Sequence, residues 1–193
     1  MTRGPRALAA GLLALAVLLA PASPASPAVA AEIEDYARYV PQEHCKPKPK
    51  PGTKALARWL LRRGGEEGPM RRSCDSGGTS EHKEGRAFDW VLDASRKKDR
   101  RLARAFLDLT FAEDKHGNTD AKARRMGIMY VIWNDHMYAA WDEFRKEDYL
   151  SSSCKSATKC SRTLRHRDHL HLSLSRPGGK GLTSWDDGRV TRD

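Results

Sequence analysis

Residues 80–89 read Ser80-Glu-His-Lys-Glu-Gly-Arg-Ala-Phe-Asp89, and the second half of this stretch has the pattern of a short strand over Gly85–Trp90. Side chains alternate between the two faces of a strand. Gly85, Ala87 and Asp89 are therefore expected on one face, and Arg86, Phe88 and Trp90 on the other. Because two of the smallest residues flank the carboxylate, an ion or a substrate has room above Asp89.

A second stretch, residues 166–171, reads His-Arg-Asp-His-Leu-His and leads into a more regular alternation. One face carries His169, His171, Ser173 and Ser175, and the other carries Leu170, Leu172 and Leu174. The leucine face is typical of a strand that packs on a core, which leaves the histidine face available for chemistry.

Two imidazoles and a carboxylate from separate strands suit a catalytic zinc site. Such a site takes three protein ligands and keeps a fourth position for water, whose pKa falls to about 7. A histidine on a strand is more often structural than a metal ligand. Here the spaced stretch, the alternation and the His-x-His coincide, so we expect one bound divalent metal ion, Zn²⁺.

The pattern Ser-x-His-x-x-Gly-x-Ala-x-Asp over residues 80–89 resembles the signature of the D-alanyl-D-alanine carboxypeptidase group of zinc peptidases. That group shares its fold with lysostaphin-type endopeptidases and hedgehog. Residues 169–171 resemble their closing His-x-His, and His166 resembles an extra histidine of penicillin-insensitive murein endopeptidases. Residues 130–134, Tyr-Val-Ile-Trp-Asn, also resemble secreted bacterial proteins with a carboxypeptidase-like C-terminal domain. The resemblance covers Cys45 to Ser175.

The resemblance implies that His82, Asp89 and His171 are the zinc ligands and that His169 stands beside the water as a proton relay. Many carboxypeptidases of the group have a glutamate, the general base, three residues before the last ligand. This chain has Asp168 there, one methylene shorter. Three residues therefore remain candidates for the general base: His169, Asp168 and His166.

Substrate contacts are expected from Ser80 and from an arginine upstream of it. By the resemblance, Arg71 or Arg72 holds a substrate carboxylate, and we take Arg72 as the candidate. The alternative is that this arginine is solvated and has no role in binding.

Residues 1–30 have the pattern of a secretory signal peptide. Arg3 and Arg6 precede an apolar run from Ala7 to Ala20, and Ala28-Val-Ala30 is a small-x-small cleavage site. An uncleaved membrane anchor is the alternative, but fourteen apolar residues are short of the ~20 that span a bilayer. Cleavage would leave 163 of the 193 residues, enough for one domain.

The formal charge is +10, and it falls to +8 when the signal peptide with its two arginines is removed. A basic secreted protein favours anionic partners such as wall polymers, acidic glycans or nucleic acid, and the alternative is that the charge only confers solubility. No basic motif with interleaved aromatic residues is present, so a nucleic-acid partner is not expected. We expect a monomer that has no membrane contact after cleavage.

Four cysteines, Cys45, Cys74, Cys154 and Cys160, follow the expected cleavage site. An even number in an exported chain predicts two disulfides. Of three possible pairings we favour Cys154–Cys160, which closes a loop rich in Ser and Lys, and Cys45–Cys74, which joins the N-terminal segment to the stretch before residue 80. A cysteine-rich zinc site is the alternative, but the chain has no Cys-x-x-Cys pair.

The remaining elements follow from periodicity and turn residues. Residues 31–52 form an N-terminal segment and a proline-rich connector, residues 53–176 the zinc domain, and residues 177–193 a poorly ordered tail. Thr53 is expected to cap the first helix, and residues 70–76 are expected to be a short strand or an extended segment. The loop 147–164 is expected to form one wall of the cleft. His44, His116 and His136 are expected at the surface.

A long helix is predicted over residues 95–113, with a buried face of Leu102, Ala105, Phe106, Leu109 and Phe111. A shorter helix is predicted over residues 118–126. A central strand over Ile128–Trp133 should form a hairpin with Met137–Trp141 through Asn134-Asp135. Trp133 and Trp141 are expected in the core, and the alternative is that they form a substrate platform.

This order of elements predicts an α+β fold, in which a small antiparallel sheet has helices packed on one side and the zinc site on its open face. The expected function is a secreted zinc metallopeptidase that hydrolyses peptides of bacterial peptidoglycan, as a carboxypeptidase or an endopeptidase. One alternative is a non-catalytic zinc-containing module that binds the wall. A weaker one is a metal-dependent hydrolase of phosphoesters.

Overall fold

The computed structural model describes Met1, Thr2, Gly4 and residues 33–190. The signal peptide expected over residues 1–30 therefore lies outside the described residues, except for those three. Among the described residues, no helix is both long enough and apolar enough to cross a membrane.

Six antiparallel strands form one open sheet, and the described residues also contain four α-helices. In chain order the strands are β1 (Glu66–Glu67), β2 (Ala87–Val91), β3 (Ile128–Trp133), β4 (His136–Ala139), β5 (Lys146–Asp148) and β6 (Leu170–Leu174). The helices are α1 (Pro51–Leu61), α2 (Lys97–Thr110), α3 (Ala121–Arg125) and α4 (Arg176–Lys180). The sheet order is β1-β2-β6-β3-β4-β5, so the predicted α+β class is confirmed.

Short 3-10 helices complete the fold, at Glu81–Glu84, Ala140–Asp142, Ala157–Lys159 and Ser184–Asp186. The first of them leads directly into β2 and holds His82. The second follows β4 and holds Trp141.

One face of the sheet packs on the helices and forms the hydrophobic core. The three leucines of β6 are each no more than 2% exposed, and they join Phe88 and Trp90 of β2 in one cluster with residues of α1, α2 and α3. The predicted leucine face is therefore confirmed. Because β6 lies between β2 and β3, its other face is the centre of the opposite side of the sheet, where His171 lies.

A β-bulge at Met129 sets which side chains of β3 reach each face. Ile128 pairs with Leu174, but Tyr130 already pairs with Ser173, so Met129 is an extra residue. Residues three apart on a regular strand face opposite sides of the sheet. Because of the extra residue, Ile128 and Val131 instead face the same side, and both belong to the core cluster. The bulge therefore directs Tyr130 to the same face as His171.

The strand expected from Gly85 begins only at Ala87. Gly85 has φ +66° and ends the 3-10 helix, where an added Cβ would lie 2.0 Å from the Lys48 carbonyl oxygen. A residue without a side chain is needed here because of both the conformation and the close approach. Arg86 is buried beside Glu84, with Nε donating to Oε2 at 2.7 Å.

The prediction that Thr53 caps the first helix was wrong, and of the two alternatives for residues 70–76 the strand is not formed. Helix α1 begins at Pro51, which is suited to a first helical position, and Thr53 instead donates its hydroxyl hydrogen to the Gly85 carbonyl oxygen at 2.9 Å. Residues 70–76 contain no strand, and the strand that pairs with β2 on this side is Glu66–Glu67.

The helix predicted over residues 95–113 is α2, which is shorter than predicted. Part of its expected apolar face is exposed. Its buried residues are Ala103, Phe106 and Thr110, whereas Ala105 and Leu109 are exposed. The hairpin β3–β4 and its turn at Asn134-Asp135 are confirmed. Trp133 is buried as expected, but Trp141 is 44% exposed, so its assignment to the core was wrong.

The C-terminal segment is not a poorly ordered tail over its described residues. Arg176–Lys180 forms α4, and Trp185 is buried against Trp59 with ring centroids 6.1 Å apart. Ser184 donates its hydroxyl hydrogen to Glu34 at 2.8 Å, so the N-terminal and C-terminal segments contact each other. Burial of the Trp185 side chain stabilises this packing through the hydrophobic effect.

Both predicted disulfides, Cys45–Cys74 and Cys154–Cys160, are present, and no cysteine is free. Disulfides persist in oxidising compartments. They indicate that the protein acts outside the reducing cytosol.

Candidate metal centre

Three candidate ligand atoms converge on the open face of the sheet. Asp89 and His171 are direct cross-strand partners of β2 and β6, and His82 approaches from the 3-10 helix before β2. Asp89 Oδ1 lies 2.8 Å from His171 Nδ1 and 3.1 Å from His82 Nε2. One ligand atom from each residue lies within 4.8 Å of the other two. These are the three residues that the family resemblance implied as ligands.

The ring of His171 is oriented by a polar chain beneath it. His171 Nε2 and Ser173 Oγ are 2.9 Å apart, and Ser173 Oγ lies 3.4 Å from Glu81 Oε2. Tyr130 also donates its hydroxyl hydrogen to Glu81 Oε2, at 2.6 Å. In the tautomer whose Nε2–H donates to Ser173, His171 Nδ1 carries the lone pair that a metal ligand requires, and this atom faces Asp89.

Glu81 and Tyr130 were not identified from the sequence. Glu81 is 5% exposed, which shows that it belongs to the interior of the site. The sequence signal for its role was its position directly before His82 in residues 80–89. Tyr130 also stacks on His171, with centroids 5.5 Å apart and planes inclined by 24°.

The electrostatics favour an ionised carboxylate at Asp89 and a neutral imidazole at His171. Burial alone would raise the pKa of Asp89, but the hydrogen bonds with His171 and His82 outweigh it and hold this pKa well below its usual range. Burial lowers the pKa of His171, although Asp89 acts in the opposite direction. The Nδ1 atom of His82 is buried and has no hydrogen-bond partner among the described residues.

His169 and Asp168 form a dyad at the edge of the centre. His169 Nδ1 lies 2.7 Å from Asp168 Oδ1, and His169 Nε2 lies 3.7 Å from Asp89 Oδ1. Thr163 donates its hydroxyl hydrogen to the second oxygen of Asp168 at 2.6 Å. Because both oxygens of Asp168 are engaged, the carboxylate is placed to orient His169, whose Nε2 faces the ligand atoms.

His166 also reaches the site, in an unusual backbone conformation. Its φ is +49°, and its carbonyl oxygen accepts a hydrogen bond from the Asn134 backbone nitrogen at 2.7 Å. Its ring lies 4.7 Å from that of His169. Burial, followed by the charges of His171 and His169, lowers the pKa of His166 to about 3. A second group of possible ligand atoms, from His166, His169 and His171, also lies within 4.8 Å.

The two candidate substrate residues differ in placement. Ser80 is 9% exposed and immediately precedes the 3-10 helix, and its backbone nitrogen donates to Gln42 at 2.9 Å. Arg72 is exposed, and its backbone nitrogen donates to the His82 carbonyl oxygen at 3.3 Å. The Arg72 backbone is therefore adjacent to the centre, while its side chain is free of ion pairs among the described residues.

The loop between β5 and β6 contacts the site through Tyr149, whose ring lies 5.1 Å from His166. The Tyr149 backbone nitrogen donates to the Asp135 carbonyl oxygen at 2.7 Å. One end of this loop is thus fixed to the β3–β4 turn, next to His166. Trp141 and Tyr39 extend the aromatic contacts of Tyr130. Tyr39 was not identified from the sequence, and for Trp141 the core was preferred to a substrate platform.

The model of the family described as "VldE, C-terminal domain" matches residues 45–156, more than half of the chain. The matched region contains His82 and Asp89 and ends before the stretch 166–171. No curated protein and no solved structure matches the chain.

Proposed function

The chain belongs to the VldE C-terminal domain family, and we propose that it is a secreted zinc-dependent peptidase that hydrolyses peptide bonds of bacterial cell-wall peptidoglycan. The family description names no reaction, so the proposal rests on the residues of the site. The observation that carries it is the convergence of His82, Asp89 and His171, with His169 Nε2 only 3.7 Å from Asp89 Oδ1.

The donor set fits zinc in kind and in spacing. Two imidazole nitrogens and one carboxylate oxygen are ligands that zinc accepts, whereas magnesium and calcium prefer oxygen ligands alone. Tetrahedral ligands at ~2.1 Å from an ion lie ~3.4 Å apart. The separations of 2.8 and 3.1 Å at Asp89 are slightly below this value, so a small outward shift of the side chains would accommodate the ion.

A zinc ion held by these residues would supply a Lewis acid for the scissile carbonyl group and an activated water molecule. His169 accepts the proton of the attacking water at Nε2 and returns it to the leaving amine. Asp168 holds His169 through Nδ1, which keeps Nε2 directed at the ligand atoms.

This assignment narrows the choice of base left open by the sequence. A low pKa of about 3 makes His166 a poor proton acceptor at neutral pH. Hydrogen bonds from Thr163 and His169 lower the pKa of Asp168 although burial opposes them, which also makes it a weak base. His169 is therefore the proposed relay, with Asp168 as the residue that positions it.

Three observations support a cell-wall substrate. The signature residues resemble those of peptidases that act on peptidoglycan, the two disulfides indicate an oxidising compartment, and the formal charge of +8 expected after signal-peptide removal favours anionic surfaces. The same resemblance includes hedgehog, and fold alone does not imply turnover. Catalysis therefore has to be tested directly.

The test is digestion of purified peptidoglycan fragments with the chain that begins at Ala31, followed by mass analysis of the products. We expect cleavage that is lost with a chelator and restored by added zinc. His171→Ala should lose both the zinc and the cleavage. If the wild-type protein binds wall material in a zinc-dependent way but cleaves no fragment, the protein is a binding module and the proposed enzyme is wrong.

A further inference from the structure

Aromatic side chains form a continuous series that leads outward from the metal centre. Tyr130 stacks on His171 with centroids 5.5 Å apart, and Trp141 meets Tyr130 at 6.0 Å. Tyr39 then meets Trp141 at 5.3 Å, with the two planes inclined by 65°. The last two rings therefore form a corner at the outer end of the series.

These outer rings are exposed, although the chain buries its other tryptophans. Trp141 is 44% exposed and Tyr39 is 52% exposed. The other four tryptophans, at positions 59, 90, 133 and 185, are each no more than 9% exposed. Because burying an aromatic ring stabilises a fold, two adjacent exposed rings beside a site point to a ligand.

The corner is held in place without the ligand. Val40, next to Tyr39, accepts a hydrogen bond from the buried Arg86 guanidinium at 2.6 Å, and its backbone nitrogen contacts Met129 Sδ at 3.3 Å. Trp141 lies in a 3-10 helix directly after β4. Binding would thus order little additional chain, which favours affinity.

The polar atoms of the two outer rings remain available. Neither the Tyr39 hydroxyl nor the Trp141 indole nitrogen takes part in a hydrogen bond to another described residue, whereas the Tyr130 hydroxyl is engaged by Glu81. Each outer ring therefore combines an apolar face with a free polar group.

We propose that Tyr39 and Trp141 bind a sugar ring of the substrate, so that the preferred substrate is a short peptide linked to a glycan. One face of a pyranose carries C–H groups that suit the electron-rich face of an aromatic ring, while its hydroxyl groups can pair with the indole N–H and the phenol. This inference rests on the proposed function only in that the cleaved part of the substrate is a peptide. Binding of the sugar does not depend on peptidase activity.

The distance from the metal centre to Trp141 limits how many residues can lie between the cleaved bond and the sugar. The path from His171 through Tyr130 to Trp141 comprises centroid distances of 5.5 and 6.0 Å. An extended chain covers ~3.3–3.6 Å per residue. The cleaved bond should therefore lie no more than about three residues from the sugar.

Intrinsic fluorescence can test sugar binding without catalysis, because Trp141 is the most exposed of the five tryptophans. We would titrate the chain from Ala31 with a tetrasaccharide of N-acetylglucosamine. We expect a saturable fluorescence change that is absent in Trp141→Ala. Calorimetry should show about tenfold weaker sugar binding in Trp141→Ala and in Tyr39→Ala, a loss of ~1.4 kcal/mol. Leu109→Ala, at an exposed apolar residue of α2, should bind as the wild type does.

A second measurement separates this inference from the proposed function. The ratio of kcat/KM for a sugar-linked peptide to that for the same peptide without sugar should fall about tenfold in Trp141→Ala, and Trp141→Phe should restore most of it. If neither peptide is cleaved, the proposed enzyme fails while the titration still tests the sugar site. If wild type and both variants bind the tetrasaccharide equally, or none binds it, the sugar site is wrong.

Discussion

His171 Nε2 lies 2.9 Å from Ser173 Oγ, two residues along the same strand, and this contact determines which nitrogen of His171 faces Asp89. Ser173 in turn lies 3.4 Å from Glu81, so the orientation depends on a fully buried hydroxyl and a buried carboxylate. Groups that hold a ligating histidine typically change metal affinity by 10–100-fold when they are removed. The centre therefore extends beyond its three candidate ligands.

Ser173→Ala should weaken zinc binding by ~10–100-fold, because His171 Nε2 loses its acceptor and the ring is free to rotate. The measurement is competition for zinc against a chelator of known affinity. Ser152→Ala, at an exposed position, is the matched control and should bind as the wild type does. Equal affinity of Ser173→Ala and wild type would show that the contact does not orient the ligand.

His169→Ala should keep the fold and the zinc while cleavage falls by ~10²–10⁴-fold, because a proton relay acts on the rate and not on metal retention. This loss corresponds to roughly 3–5 kcal/mol of barrier. Zinc content and single-turnover cleavage of wall fragments would be measured on the same sample. Cleavage at the wild-type rate would contradict the role of His169.

Asp168→Asn tests the positioning role separately. The amide can still accept the His169 Nδ1 hydrogen, but it lacks the charge that stabilises the protonated ring. We expect a smaller loss of kcat than in His169→Ala, with KM and zinc content unchanged, measured as steady-state cleavage of wall fragments. A kcat equal to that of the wild type would mean that Asp168 does not act through His169.

Asp135→Asn should destabilise the segment that presents His166. Asp135 accepts two hydrogen bonds from Arg165, at 2.7 and 2.9 Å, and its backbone nitrogen donates to the Arg165 carbonyl oxygen. Its φ is +68°, a conformation that Asn adopts as readily as Asp, so the change removes charge and keeps the turn. The expected loss is about 1 kcal/mol, because the pair is partly exposed.

The pH dependence of the stability lost in Asp135→Asn follows from the pKa of Asp135. The hydrogen bonds from Arg165 lower the pKa of Asp135 in the folded state, so the unfolded chain binds more protons as the carboxyl groups titrate. The stabilisation is fully present above the unfolded pKa of ~3.9 and is lost as the pH falls through the lower folded value. Urea unfolding should thus show a gap in the free energy of unfolding between wild type and Asp135→Asn at pH ~7. This gap should shrink below pH ~3.9 and close as the pH falls through the lower folded pKa of Asp135. Asp148→Asn, at a fully exposed carboxylate, should show almost no gap. A gap that persists in acid would contradict the ion pair.

Local patterns predicted the parts of the fold that depend on nearby residues. The alternation of β6 identified its leucine face, and the Asn134-Asp135 pair, with φ of +49° and +68°, identified the hairpin turn. The resemblance of residues 80–89 to a known signature implied His82 and Asp89 as ligands, and the structure places His82 Nε2 3.1 Å from Asp89 Oδ1.

Features that depend on distant residues were not predictable. The extra residue at Met129 changes the face of Tyr130 only because β3 pairs with β6, in which the partner of Tyr130 is Ser173, 43 residues later in the chain. Trp141 was expected in the core because tryptophans are usually buried, and nothing near it in the sequence indicates its exposed contacts with Tyr39 and Tyr130.

The two disulfides should contribute unequally to stability. They close loops with sequence separations of 29 and 6 residues, for which the chain-entropy relation gives about 3.6 and about 2.2 kcal/mol. Paired Cys→Ser changes at Cys45 and Cys74 should therefore lower the free energy of unfolding more than those at Cys154 and Cys160. The free energies would be compared by urea unfolding of the three proteins. The reverse order would show that strain or unfolded-state structure outweighs loop entropy.

Trp185→Ala should destabilise the protein by ~3–5 kcal/mol, although this residue lies in a segment whose sequence suggested a poorly ordered tail. The indole is 7% exposed and packs edge-on against Trp59 of α1, which itself contacts Phe106 of α2 at 6.4 Å. Removing it leaves a cavity between two helices and the C-terminal segment. Leu182→Ala, at a side chain that is 56% exposed, should change stability by no more than ~0.5 kcal/mol. Equal unfolding free energies for the two variants would mean that the C-terminal segment does not belong to the core in solution.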